Sequence, residues 1–212
     1  MDAKKMNFLL IIHQLDTFKE YAEYIEYSMK KKLDEFNTSF KELDENDLDV
    51  FADLYYDEMI QYRDHFPAIM RKSLFISIYS FLEDKVVEYC TSNDNETCIK
   101  LNDLKGQGIP RAALFIKKVL RKSFPDQSKE WNYIKKAGLI RNCIVHCQGD
   151  IDKTNNKIQV IEAVNELQNV SLNHINFVVL NKEFCFEFIK TVENFLRDLF
   201  GIHENLRMQI WS

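Results

Sequence analysis

The chain has 212 residues, the size of one domain or of one domain with an appendage, and 46% of them are hydrophobic, enough to fill a core. Five Gly and three Pro are too few for a many-turned β fold, and no apolar run approaches the length of a membrane span. A net charge of −5 speaks against a molecule that attracts polyanions over its whole surface.

The opening stretch MDAKKMNFLLIIHQLD has two Lys and a short apolar run but no small-residue cleavage site. It reads as the start of a first helix, not as a signal peptide. That helix is predicted over residues 6–33, where Ile11, Leu15, Phe18, Ala22, Ile25 and Met29 recur at steps of three and four. Residues 34–46 are polar and read as a loop. Asp47 is placed as the cap of a second, acidic helix reaching about Arg63. Pro67 suits the first turn of a third helix that runs to about Thr91, with Phe75, Ile78, Leu82 and Val86 as its core stripe.

LNDLKGQGIP (101–110) reads as a loop, and 111–122 as a short helix broken at SFPDQS. A further helix runs from about Ser128 to Cys147 and stops at Gly149. KIQVIEAV and VSLNHINFVVL alternate enough to suggest two or three short strands, with one hairpin. Residues 182–200 form a last amphipathic helix that Gly201 ends. The predicted fold class is all-α: a helical bundle of about five to six helices, with a small β-hairpin insert before the last helix. Residues 1–65 are read as an N-terminal helical extension packed on the core formed by 66–203, within one compact unit. The five Cys are odd in number and lack a repeating spacing, which fits free thiols in a reducing cytoplasm.

The stretch LIRNCIVHCQG (139–149) puts an Arg, an Asn and a His into an apolar helical run. At about 100° per residue, Tyr133, Ala137, Ile140, Ile144 and Cys147 form a core stripe. The opposite side carries Trp131, Gly138, Leu139, Asn142, Val145 and His146, with Lys135 as its only charge. A helix apolar on both sides is buried on both sides, either at the centre of a bundle or against a second copy of the chain. Gly138 would let two such backbones approach closely. Arg141 and His146 flank Asn142, about 140° apart, so they diverge within one chain. Across a two-fold axis, Arg and His from both chains would line one cleft.

Those groups suit RNA cleavage without a metal. A His can take a proton from a 2′-hydroxyl or give one to the leaving oxygen. An Arg fork can hold the phosphate and stabilise the added charge of the transition state. The run Arg141-Asn142-Cys143-Ile144-Val145-His146 resembles the R-x(4–6)-H signature of the HEPN superfamily, with a polar residue directly after the Arg. SLFISIYSFLEDKVVEYC, LNDLKGQGIP and the helix ending in IRNCIVHCQGD occur in the order found in that superfamily, and the similarity spans roughly 66–200. The resemblance implies a HEPN-like domain over 66–203 that forms a homodimer through the motif helices. It also implies a metal-independent endoribonuclease of the toxin, abortive-infection or antiviral-defence type, acting in the cytoplasm and held in check by an antitoxin or other regulatory protein. Arg141 and His146 would be the catalytic pair and Asn142 a supporting polar group. In members silenced by a nucleotidyltransferase partner a Tyr lies two residues after the His. Gln148 stands there in this chain, which speaks against AMP-transfer control through that Tyr.

Glu83, in SFLED, is the acid best placed by sequence order to orient Arg141 or His146, although a surface carboxylate would look the same. Charge adds to this picture: residues 16–64 hold 15 acids and 6 bases, whereas residues 100–141 hold 11 bases and 3 acids. Solvated helix faces would account for both. Because the basic segment runs into the motif, it is read as a surface for an anionic ligand, with Lys135, Lys117, Lys118, Arg121 and Lys122 as RNA contacts. Cys143, Cys147 and His146 amount to half a zinc site with no second ligand pair, so no metal is expected, and no cofactor. His13, His65, His174 and His203 lack a paired context. The competing readings are a non-catalytic HEPN-like dimerisation module that binds protein or nucleotide, and a structural bundle with a dimer seam.

Overall fold

The computed structural model describes residues 3–42, 44–94, 97–204 and 206. Among the described residues the chain is an all-α bundle with one two-stranded hairpin before its last helix. Its elements are α1 (Ala3–Glu42), α2 (Glu45–Ile60), α3 (Phe66–Ser92), α4 (Gly108–Lys118), α5 (Lys129–Cys147), α6 (Lys157–Glu166), β1 (Val170–Leu172), β2 (Val178–Leu180) and α7 (Lys182–Phe200). No helix among the described residues is long and apolar enough to cross a membrane.

The core forms where α3, α5 and α7 meet. Phe75, Ile78, Leu82 and Val86 of α3 are wholly buried, as their spacing requires. Phe75 meets Phe184 and Phe188 edge-on, each at 5.0 Å between ring centres. Such pairs contribute about 0.5–1.5 kcal/mol beyond area burial. Phe8, Ile11, Ile12 and Leu15 of α1 lie in the same cluster, so the start of α1 shares the core of α3 and α7.

Several segments differ from the sequence expectation. Helix α2 begins at Glu45, ahead of the expected cap Asp47, and α4 begins at Gly108, inside the stretch read as loop, and ends at Lys118. Residues 34–42 continue α1 as helix. The polar side chains of residues 34–41 face solvent, Thr38 and Ser39 donate their hydroxyls back to the carbonyls of Asp34 and Glu35, and Phe36 buries its ring against Tyr55 and Tyr62 of the returning chain. Likewise KIQVIEAV is not a strand but lies in α6, where Val160, Ala163 and Val164 are buried at a helical i, i+3, i+4 spacing. The hairpin itself is confined to β1 and β2, paired antiparallel with Ser171 opposite Val179.

Between α2 and α3 the backbone stays helical through a π turn, Gln61–His65. Pro67 follows it. A proline cannot donate to the carbonyl four residues back, and its ring presses on that carbonyl, so a widened turn just before it relieves the conflict.

One ion pair ties three elements together. The Arg71 guanidinium of α3 donates to both carboxylate oxygens of Glu26 on α1, at 2.6 and 2.9 Å, and to the Leu180 carbonyl of β2 at 3.4 Å. The two side chains are 20% and 10% exposed, so removing one partner strands a charge in a poorly solvated place. Glu26→Ala should cost about 3 kcal/mol and lower the thermal midpoint by roughly 5–10 °C in a calorimetric scan.

Candidate functional site

Helix α5 starts at Ser128, whose hydroxyl oxygen accepts from the Trp131 amide at 3.0 Å. Ile134, Ala137, Ile140, Cys143 and Ile144 face the core. The helix ends at Cys147. The left-handed cap position is taken by Gln148 (φ 57°), one residue earlier than the expected stop at Gly149. The Gln148 and Gly149 amides both reach the Cys143 carbonyl, and the Gly149 carbonyl accepts from Val178 of β2 at 2.9 Å. The hairpin therefore fixes the end of α5 that carries His146.

Gly138 faces inward, toward α3. A β-carbon at that position would lie 2.7 Å from the Tyr79 hydroxyl, closer than real atoms come. Trp131 also turns inward, stacking on Phe195 at 5.8 Å and meeting Phe124 edge-on at 5.0 Å. The expectation that Gly138 and Trp131 belong to an outer seam is thus corrected: packing within the chain uses both. Of the expected seam, Lys135, Asn142, Val145 and His146 remain open, with Leu139 partly covered.

Arg141 follows Gly138 by one turn and lies over the same tyrosine, its guanidinium carbon 5.6 Å from the Tyr79 ring centre. Its Nη2 is 3.8 Å from Glu83 Oε2, an ion pair too long to be a hydrogen bond. Its Nη1 donates to the Asn142 side-chain oxygen at 3.1 Å. Its Nε has almost no accessible surface and no acceptor. A guanidinium has five N–H donors, and only one is committed here. Burial first, and the Glu83 charge second, push the Tyr79 hydroxyl up to about 12, against the pull of Arg141, so it stays neutral as a platform.

The start of α4 lies beside Glu83. Gly108 has a left-handed backbone (φ 59°), and a β-carbon there would stand 2.5 Å from Glu83 Oε1. Glycine takes this backbone without strain, and a side chain there would displace the Glu83 carboxylate. The structure therefore gathers Tyr79, Glu83, Gly108, Arg141 and Asn142 around one point.

His146 lies outside this cluster. It is exposed on the last turn of α5 and makes no hydrogen bond or ion pair among the described residues. Five residues separate it from Arg141, about 7.5 Å along the axis and 140° around it. Lys72 of α3 reaches the same end of the helix, with its Nζ 3.3 Å from where a Gly149 β-carbon would sit. Burial lowers the Lys72 pKa, opposed by the Cys143 thiol.

The other basic residues are divided. Lys135 lies on the open strip of α5 with Asn142 and His146. Lys117 is paired with Asp126 at 2.9 Å, and Lys122 bonds Asn93 and covers the Tyr89 ring at 6.0 Å. Lys118 and Arg121 are exposed beside them. Tyr89 on α3 and Asn93, the residue that caps it, come six and ten residues after Glu83, about 10–15 Å along the helix, so the Lys117–Lys122 run is not brought to Arg141. Tyr79, Gly108 and Lys72 were not singled out from the sequence. Only the two glycines of LNDLKGQGIP gave a local signal, and they read equally as loop. Among the described residues no group of three or more His, Cys, Asp or Glu is placed to hold a metal.

No protein-family model, curated protein or solved structure matches this chain.

Two outcomes follow from this geometry. Gly138→Ala should destabilise by about 1–3 kcal/mol through overpacking, and Tyr79→Phe, by removing the hydroxyl, should restore most of that loss in the double variant. Urea titrations of the four-member cycle measure it, and additive effects would refute the contact. Burial pushes the Cys90 thiol up to about 11 and Cys185 up to about 12, and it raises Cys143 as well, while Cys98 is exposed. Iodoacetamide near pH 8 should label Cys98 first, and Cys90, Cys143 and Cys185 only after unfolding, as read by peptide mass spectrometry.

Proposed function

We propose that this chain is a metal-independent endoribonuclease whose cleavage site is completed by the α5 helices of two copies. The observation that carries the reading is the division of labour along α5. Arg141 is anchored by Tyr79, Glu83 and Asn142 with donors to spare, while His146, on the same helix, is open and unpartnered. One chain alone separates the two groups. A second copy across the open strip of Lys135, Asn142, Val145 and His146 would bring each Arg141 toward the other chain's His146.

In the proposed reaction the RNA 2′-hydroxyl oxygen attacks the adjacent phosphorus. His146 accepts the hydroxyl proton and returns a proton to the departing 5′-oxygen, leaving a 2′,3′-cyclic phosphate and a 5′-hydroxyl end. Arg141 holds the non-bridging oxygens and meets the growing negative charge. Asn142 and Glu83 orient Arg141. The resemblance to the HEPN superfamily supports the same assignment and a toxin or antiviral-defence role in the cytoplasm, under an antitoxin or other regulatory protein.

Wild type should cleave RNA in EDTA. His146→Ala and Arg141→Ala should each lose about 10²–10⁴-fold in kcat/KM, with dimer mass unchanged by light scattering. Mixing the two inactive variants should restore up to about a quarter of wild-type activity, since half the sites of a mixed dimer regain one Arg141 and one His146. Full cleavage by His146→Ala would end this reading. A wild-type dimer that cuts no RNA would favour instead a non-catalytic module that binds protein or nucleotide.

A further inference from the structure

Resting on the ribonuclease reading, we propose that Arg111 is a second phosphate-binding residue of the same site, gripping the RNA backbone beside Arg141. Glu83 marks the place. Arg141 Nη2 stands 3.8 Å from one of its oxygens, and the other lies 2.5 Å from where a Gly108 β-carbon would sit. Arg111 comes one turn after Gly108 on α4. The two positions lie about 60° apart around the helix, on the flank beside the buried stripe of Ile109, Ala112, Ala113 and Ile116.

Side chains on a helix lean toward its N-terminus. Arg111 Cβ borders the preceding loop, 3.8 Å from where a Gly106 β-carbon would sit. A lean of that kind directs the Arg111 side chain toward the Gly108 end of α4, the end nearest Glu83, and away from Lys117 and Lys118.

The bonding state of Arg111 points the same way. Its Nε is enclosed and has no acceptor, and no ion pair to it occurs among the described residues. Arg141 shows the same enclosed, unpartnered Nε. The two helices that meet α3 near Glu83 thus each carry an under-committed guanidinium, two positive charges to one carboxylate, with a surplus of donors. A phosphodiester supplies what is short there: one negative charge and two non-bridging acceptor oxygens. The Lys117–Lys122 run is the weaker candidate, because Lys117 is already paired with Asp126 and Lys122 with Asn93.

The test uses the full chain carrying His146→Ala to block cleavage, a labelled short single-stranded RNA in EDTA, and fluorescence anisotropy over a series of salt concentrations. Adding Arg111→Gln should weaken binding about tenfold and flatten the slope of log affinity against log salt by about 0.7, the loss of one phosphate contact on a single strand. Adding Lys117→Gln should leave the slope unchanged. An unaltered slope in Arg111→Gln overturns the role of Arg111 while the ribonuclease reading stands. If the His146→Ala chain binds no RNA at all, the ribonuclease reading fails and this inference with it. Should Arg111→Gln melt below the assay temperature, Arg111→Lys on the active chain takes its place. It should raise KM several-fold with kcat kept within about twofold, and wild-type values for both would overturn the proposal.

Discussion

The Tyr79 hydroxyl seated against Gly138 is the contact on which the candidate site depends. It sets how closely α3 and α5 approach, and everything polar nearby follows from that spacing. One turn beyond the glycine, Arg141 lies over the same aromatic ring. One turn beyond the tyrosine, Glu83 comes within reach of the guanidinium. Tyr79 is itself stacked on Phe188, so the platform is held by the same aromatic core that joins α3 to α7. A bundle core and a cluster of charges thus share a wall.

The charges on that wall differ from the structural ones elsewhere. Arg71 and Glu26 satisfy each other in a two-pronged bond and need nothing more. Arg141 faces its carboxylate at a distance without hydrogen bonds and encloses a donor that has no acceptor. An enclosed, unsatisfied donor costs about 1–3 kcal/mol. The stacking of Arg141 over Tyr79 offsets part of that cost, and departures of this kind are expected where a chain gives up local consistency for function.

Much of the fold was legible because it rests on local periodicity. The stripes of α1 and α3, the capped start of α5, the hairpin and α7 all announce themselves within a few turns of chain. Residues 34–42 did not, because their reason for being helical is Phe36, whose partners Tyr55 and Tyr62 are far along the sequence. KIQVIEAV offers alternation and helical spacing at once, and the burial of Val160 and Val164 decided between them. At the candidate site, Arg141, Asn142 and Glu83 were readable and fall together, whereas His146 stands apart from them. Gly138 was read as a place for a second backbone because sequence shows that a residue is small, not what fills the space. Charge counting drew attention to the Lys117–Lys122 run, yet counts cannot show that Lys117 and Lys122 already have partners. Arg111, a single base in an otherwise unremarkable turn, carries no local pattern at all.

The π turn at Gln61–His65 has a consequence for how this chain can change over time. A turn of that kind holds one residue more than an α-helix needs, so losing a residue there would let α2 and α3 fuse into ordinary helix with their faces kept in phase. Pro67 forbids that step taken alone, because its ring would then strike the carbonyl that the wider turn moves aside. Replacing Pro67 alone leaves the surplus residue without its cause. The deletion and the substitution are therefore epistatic: each becomes acceptable in the presence of the other, and related chains should carry both together or neither.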